Sequence, residues 1–382
     1  LVDKARALEL EYLESTQGWK KRPYTEALAK MGKKAIIVKW IDTNKGDTTK
    51  INYRSRFVAR EIKSRYGGDS REDLFAATPP WEATKILISN VITNYEVGDK
   101  LMMIDISKAY LFAPVVHEHI YVDLPPEIGE PGMCARLKKA LYGTRDAAHA
   151  WEQEYTRSLV EFGFIAGLSS ACIFMHQELR LELVVHGDDF TVTGPQVNLK
   201  KFSDFLSTKY LVKIRGILGP AHMDDKEITL LNRVIKWGPQ GISLEADPRH
   251  TELVIKDLGL DTSSKGSMVP GAKVPGPEDD TMLDKITTTK YRSITARLNY
   301  MVSDRADIQY SVKELCREMS APTEASWAKL KKVGRYLVTR LRLLIHFKYQ
   351  DTTQVIDILT DSDWAGSTRT RLSAVASARA AR

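Results

Sequence analysis

Short apolar runs rich in β-prone residues alternate along the chain with longer stripes at helical spacing. After a polar helix at 8–13, residues 35–41 (AIIVKWI) and 51–62 (INYRSRFVAREI) read as two strands, with Asn44, Lys45, Gly46 and Asp47 supplying a hairpin turn. Arg54, Arg56 and Arg60 stand at even spacing in the second strand, so period-two alternation puts them on one face. Residues 81–95 carry Ile88, Val91, Ile92 and Tyr95 in a helical pattern behind Pro79 and Pro80. The run LMMIDI at 101–106 is too short for a typical helix and reads as a buried strand, with Asp105 inside it or at its end. Residues 148–162 place Trp151, Tyr155, Leu159 and Phe162 on one helical face, and Gly163 is positioned as a stop.

Two β-prone runs, 181–185 and 190–193, flank His186, Gly187, Asp188 and Asp189 in a β-hairpin pattern. Residues 198–210 form an amphipathic helix with Leu199, Phe202, Leu206 and Tyr210 inward. The stretch 266–280 is rich in Gly, Pro and acid, a linker composition. Beyond it, 291–319 and 322–340 read as two helices, the second carrying Lys329, Lys331, Lys332, Arg335 and Arg340. A strand at 355–360 ends at Asp361, and the tail from Ser367 is basic and without pattern. There is no internal repeat.

Composition narrows the class. The 382 residues suit two to three domains at roughly 150 residues each. A hydrophobic fraction of 43% and a charged fraction of 27% exclude a largely disordered chain, a collagen-like repeat and a disulfide-stapled miniprotein. The net charge of +7 permits a polyanion partner without demanding one. Cys134, Cys172 and Cys316 are an odd, widely spaced set, which argues against a disulfide framework or a structural zinc site and suits a reducing, intracellular compartment. No apolar run approaches the ~18 residues of a membrane helix, so no membrane partner is expected. The first residue is Leu1 and no signal peptide follows, so a piece of a longer polypeptide is expected.

Three acids draw attention: Asp105 after its apolar strand, and the pair Asp188 and Asp189 at the hairpin tip. A carboxylate beside LMMI must be exposed, paired or bound to a cation, because burying it bare is costly. Adjacent carboxylates repel unless something positive lies between them. A divalent cation relieves both problems, and two Mg²⁺ ions roughly 3.5–4 Å apart can clamp the attacking and leaving oxygens of a phosphoryl transfer. On spacing alone a solvated Asp-rich turn is the favoured reading and a metal site the alternative.

The surrounding motifs go further. DISKAYL (105–111), LKKALYGTRDAAHAW (137–151), VVHGDDFTVTG (184–194) and YRSRFVARE (53–61) occur in an order that resembles the reverse transcriptase of copia-type LTR retrotransposons, within a Pol polyprotein. Residues 291–312 and 319–337 are similar to that family's connection region, and TDSDWAGSTRTR (360–371) to the first strand of its RNase H domain. The resemblance spans about residues 30 to 371. Two departures stand out: His186-Gly187 replaces the family's Tyr-Val before the Asp pair, and Asp146-Ala147-Ala148 replaces its Gln-Ala-Pro.

The resemblance implies an α+β right-hand polymerase with fingers, palm and thumb and an antiparallel palm sheet. Its segments would be a lead-in at 1–30, fingers and palm at 31–215, a thumb-like region at 216–265, the linker at 266–280, a connection region at 281–350 and an RNase H-like start with a basic tail at 351–382. Asp105, Asp188 and Asp189 would be catalytic and hold two Mg²⁺ ions, with Mn²⁺ as the alternative and the Ile106 carbonyl contributing. Arg54 and Arg56 would meet the triphosphate, unless they form a solvated strand face. Tyr110 would sit under the sugar and select deoxyribonucleotides, or be a core aromatic. Gly143 would let backbone approach nucleotide or template, or serve a tight turn. Lys329, Lys331, Lys332 and Arg335 would track nucleic-acid phosphates, or be ordinary helix surface. Asp361 resembles the first RNase H metal ligand, yet no acid follows Asp363, so RNase H activity is expected to be absent.

The implied function is RNA-directed DNA synthesis, with RNA template, DNA or RNA primer, RNA–DNA hybrid and dNTPs as partners. Other Pol-derived proteins, a protease and an integrase among them, would accompany it. The implied setting is cytoplasmic virus-like particles, with the nucleus as the alternative. Two other readings compete: a decayed fragment that still binds nucleic acid, and an RNA-dependent RNA polymerase, whose signature Gly187-Asp188-Asp189 also matches.

Overall fold

The computed structural model describes residues 1–62, 74–271, 281–351, 357–362 and 375–381, the last two stretches as backbone strands. Its contacts divide it into two units: Leu1–Leu87 with Lys100–Ile217, and Ile88–Asp99 with Leu218–Arg382. Among the described residues no helix is long and apolar enough to cross a membrane.

The first unit runs α1 (Val2–Ser15), β1 (Trp19–Pro23), α2 (Tyr24–Met31), β2 (Val38–Asn44), β3 (Tyr53–Ala59), the start of α3 (Trp81–Thr93), β4 (Asp99–Ile106), β5 (Tyr121–Asp123), β6 (Met133–Leu137), α4 (Ala147–Phe162), β7 (Ile165–Ala166), β8 (Ile173–His176), β9 (Leu181–His186), β10 (Asp189–Pro195), α5 (Gln196–Lys209) and β11 (Val212–Leu218). Six strands form one sheet in the order β11-β4-β10-β9-β8-β7. Strands β9 and β10 are antiparallel, as are β8 and β9. Four consecutive residues of β4, Leu101 to Ile104, are buried, so both faces of that strand are covered. Helices α4 and α5 lay Trp151, Tyr155, Leu199, Phe202 and Leu206 into one core with Phe174 and Phe190 of the sheet. Helix α4 stops where the spacing places its end, at Gly163 with φ 109°, a conformation that favours glycine.

The β2–β3 hairpin also forms as read, with Arg54 opposite Thr43 and Arg56 opposite Ile41. Ser55, Phe57 and Ala59 turn inward, leaving Arg54 and Arg56 on the other face. Helix α1 is longer than its polar stretch suggests and inserts Leu10 and Leu13 beside Phe57 and Trp19.

In the second unit, β12 (Glu227–Leu230), β13 (Arg233–Gly238), β14 (Gly241–Glu245) and β15 (Leu344–Lys348) make an antiparallel sheet, so one sheet joins the stretches 216–265 and 281–350. Helices α6 (Pro248–Asp257), α7 (Lys285–Met301), α8 (Gln309–Arg317) and α9 (Glu324–Thr339) bury Val254, Tyr291, Leu298, Val312, Leu330 and Leu337 together. The expected single helix over 291–319 is therefore corrected to two. The break holds Arg305, 1% exposed, whose guanidinium donates to both carboxylate oxygens of Asp307 at 3.0 and 2.8 Å and to the Arg340 carbonyl at 2.9 Å. A cation so placed ties the α7–α8 break to the open carbonyl end of α9, which an uninterrupted helix could not do.

Arg305 holds the Asp307 carboxyl below the usual carboxylate range against the opposing effect of burial, and the Tyr336 hydroxyl adds a bond of 3.0 Å. A lowered pKa in the fold means stability present above pH ~4 and lost as pH falls through the native value. Asp307→Asn is expected to cost about 3 kcal/mol at pH 7, since it strands a buried guanidinium. The gap to the parent should hold down to pH ~4 and narrow only below it, and denaturant unfolding of both proteins on either side of that point checks it.

The tail also departs from its patternless reading, because β16 (Asp357–Ser362) pairs antiparallel with β17 (Val375–Ala381). Asp361 lies in β16. Within the expected linker, residues 272–280 lie outside the described residues. Its first part is tied to α9 by Ser267, whose amide donates to the Arg335 carbonyl at 3.1 Å. Residues 355 and 356 of the expected strand, and Asp363, also lie outside the described residues.

Candidate active site

Asp105 is the penultimate residue of β4, where the strand emerges from its buried run, and its side chain is 15% exposed. In the next strand position, Asp188 and Asp189 sit at the β9–β10 tip, where Asp189 pairs with His186 across a two-residue loop. Gly187 opens that loop with φ 65°, and a side chain added there would meet nothing within 4 Å, so glycine serves the backbone conformation rather than the space. Two hydrogen bonds hold the tip in place. The Ile106 amide donates to the Asp188 carbonyl at 2.9 Å, and the indole Nε1 of Trp151 donates to the Gly187 carbonyl at 2.8 Å. Ile106 therefore takes part through its amide, fixing the distance between the acid of β4 and the acids of the hairpin.

A cation already stands among these carboxylates. The Arg215 guanidinium, from β11, bonds the Asp105 carboxylate directly and lies 4.0 Å from Asp189 Oδ1. The Ser107 hydroxyl donates to the other oxygen of Asp105 at 3.3 Å. Asp189 is 22% exposed, and its pKa is pushed up to about 6, first by burial, then by Asp188 and Asp105, against the pull of Arg215. Asp188 is exposed. The three acids raise the pKa of Arg215, Asp105 most strongly. No signal in the sequence marks Arg215, which lies 110 residues from Asp105 and reaches it only through the strand order.

Among the described residues no group of three or more His, Cys, Asp and Glu side chains closes into a metal cage. The donor chemistry nonetheless suits a hard divalent cation. Two carboxylates converge on one positive group, a third is exposed beside them, and Mg²⁺ typically takes one or two carboxylates plus water and substrate phosphate.

Tyr110, half-buried, packs against the α4–α5 core and sets its ring 4.9 Å from that of Tyr142. Burial raises both phenols, Asp188 adds to the shift and Arg56 opposes it, so this aromatic pair lies within the field of Asp188. The Arg56 guanidinium lies 5.5 Å from the Tyr142 ring centroid. Arg54 is exposed farther along β3. Gly143 has φ 83°, and the space a side chain would need is filled by Val58 and Ala59 of β3. Its close approach is thus to the chain's own backbone, where Ala59 donates to the Tyr142 carbonyl at 2.7 Å.

Lys108, in the first motif, adopts φ 60° and is held by Glu9 of α1 at 2.8 Å. In the second unit, Lys329 of α9 is paired with Glu318 at 2.9 Å. Lys331 lies 5.9 Å from the Trp327 ring centroid, Lys332 is half-buried and Arg335 exposed, so these cations are not one open stripe.

Asp146, the departure in the second motif, is 2% exposed at the start of α4, and neither carboxylate oxygen has a hydrogen-bond partner among the described residues. An anion at a helix start gains roughly 0.3–2 kcal/mol, less than the several kcal/mol a bare buried carboxylate costs. Asp146→Asn is accordingly expected to stabilise the protein by about 1 kcal/mol at pH 7, read as a rise in the thermal midpoint.

Residues 24–226 match the family described as Reverse transcriptase (RNA-dependent DNA polymerase). The retrovirus-related Pol polyprotein from transposon RE2 of Arabidopsis thaliana is 30% identical over 349 residues, 86% of this chain and 22% of that protein. The corresponding polyprotein from transposon TNT 1-94 of Nicotiana tabacum is 23% identical, covering 95% of this chain and 27% of that protein. The chain thus spans about a quarter or less of the Pol polyproteins it matches. A solved foamy viral protease-reverse transcriptase in complex with ds DNA is similar at a TM-score of 0.38 and 13% identity, over 82% of this chain and 46% of that one. With a family match covering more than half of its length, the chain belongs to the reverse transcriptase (RNA-dependent DNA polymerase) family, as its ordered motifs imply.

Proposed function

We propose that this chain is an RNA-directed DNA polymerase, extending a DNA or RNA primer on an RNA template with dNTPs. One observation carries the reading: Asp105 and the Asp188–Asp189 tip, 83 residues apart in sequence, are fastened side by side by the Ile106–Asp188 hydrogen bond. Two Mg²⁺ ions, with Mn²⁺ as the alternative, would neutralise charge at the attacking 3′-hydroxyl and the leaving pyrophosphate. Asp105 and Asp188 would hold them, with Asp189 assisting. Trp151 and Ile106 keep the carboxylates at fixed separation, so catalysis rests on positioning. Tyr110, braced by Tyr142, would crowd a 2′-hydroxyl and so favour dNTPs over rNTPs. Arg56, whose guanidinium lies 5.5 Å from the Tyr142 ring centroid, would meet a triphosphate, and Arg54 would reach it farther out.

The deciding experiment is primer extension on an RNA template, comparing the protein with Asp188→Asn and dNTPs with rNTPs. Extension with dNTPs that vanishes in the variant supports the proposal. Efficient rNTP use would favour an RNA-dependent RNA polymerase. A second reading, a catalytically silent chain that only binds nucleic acid, is favoured by the guanidinium on Asp105. Salt-sensitive primer–template binding with no extension would establish it. The intracellular, particle-associated setting implied by the motifs remains part of the proposal.

A further inference from the structure

We propose that Arg215 is a built-in competitor for the divalent cation, so that metal enters this site by exchange with a guanidinium rather than by filling a vacant cage. The inference rests on the reading of Asp105, Asp188 and Asp189 as metal ligands.

Four observations support it. Arg215 bonds one oxygen of the Asp105 carboxylate and lies 4.0 Å from Asp189 Oδ1, so a single guanidinium faces both acids. The second Asp105 oxygen accepts only a 3.3 Å bond from Ser107, so the guanidinium is the strongest partner this carboxylate has and the one an incoming cation competes with. The arginine comes from β11, next to β4 at the edge of the sheet, and its side chain is 48% exposed, so it can leave toward water without disturbing the core. The strand start is anchored independently, since the Ser107 amide donates to the Leu211 carbonyl at 2.9 Å. Side-chain exchange therefore needs no rearrangement of the sheet.

The physical consequence is a penalty on cation affinity. A charge of +1 held against two carboxylates must be displaced, and while it stays nearby it repels the incoming ion. The penalty is electrostatic and half-exposed, so it shrinks as salt rises. Arginine carries its charge at every accessible pH, so protonation cannot switch the competitor off.

The test is Mn²⁺ binding to the full chain without nucleic acid, followed by the loss of the free-ion paramagnetic resonance signal, at 50 mM and 500 mM salt. Arg215→Gln is expected to tighten Mn²⁺ about tenfold at low salt, with a smaller difference at high salt, and Arg215→Lys to stay within about threefold of the parent. Thermal midpoints of both variants within a few degrees of the parent show that the fold persists. Asp105→Asn, made in the parent and in Arg215→Gln, tests the underlying site and should weaken Mn²⁺ in both. Mn²⁺ affinity that depends on Asp105 but is unchanged or weakened by Arg215→Gln would overturn the exchange and leave the metal site standing. Absence of Asp105-dependent binding in both backgrounds would overturn the two together.

Discussion

Asp105→Asn is expected to lower primer extension by at least about 100-fold while leaving the protein folded and still bound to primer–template. The magnitude follows from what removal of one preorganised charge-stabilising group costs, roughly 10²–10³ in turnover. Asparagine matches the shape of the side chain and keeps an oxygen for Ser107, but it offers no net charge to a divalent ion. Stability should barely change. The ion pair that is lost joins a group 15% exposed to one 48% exposed, and pairs of that kind contribute about 0–1 kcal/mol. A fall in extension that tracked a fall in thermal midpoint would assign Asp105 to structure. The same fall in extension with an unchanged midpoint assigns it to chemistry.

The second large effect is expected at Trp151. This indole is 1% exposed and makes edge contacts with Tyr155 at 5.7 Å and Tyr210 at 5.2 Å, besides its bond to Gly187. Trp151→Ala should cost about 3–5 kcal/mol, a large part of the ~5–15 kcal/mol that holds a typical domain together. It also leaves the Gly187 carbonyl without its donor. Trp151→Phe separates the two contributions. It keeps a six-membered ring in the core and gives up the hydrogen bond and the smaller part of the indole volume, for about 1–2 kcal/mol. Denaturant midpoints of both variants check the split, and equal losses would mean that the hydrogen bond, not the packing, dominates.

Much of the candidate site is legible in sequence because its parts are local. The β9–β10 tip follows from two β-prone runs around a Gly-Asp turn, and Asp105 follows from a run of apolar residues too short for a helix. The stop at Gly163 follows from one residue able to take a positive φ. What escapes are relations between distant residues. Nothing near Arg215 announces Asp105, because strand order in a sheet is set by packing of the whole unit. Lys329 reads as a free cation until Glu318, 11 residues earlier, is found against it. The helical spacing across 291–319 is real, yet Arg305 interrupts it to satisfy a carbonyl of a different helix. Gly143 carries the same message: its partner is Ala59 of the chain itself, which no local pattern identifies.

The Ile106 amide proton offers a view of the site that needs neither substrate nor metal. It is buried and bonded across two elements, so it meets solvent only when the end of β4 parts from the hairpin tip. Its deuterium exchange rate therefore reports the free energy of that local opening. A single resonance would thus gauge how firmly the carboxylates are held beside one another, whether or not a primer is extended.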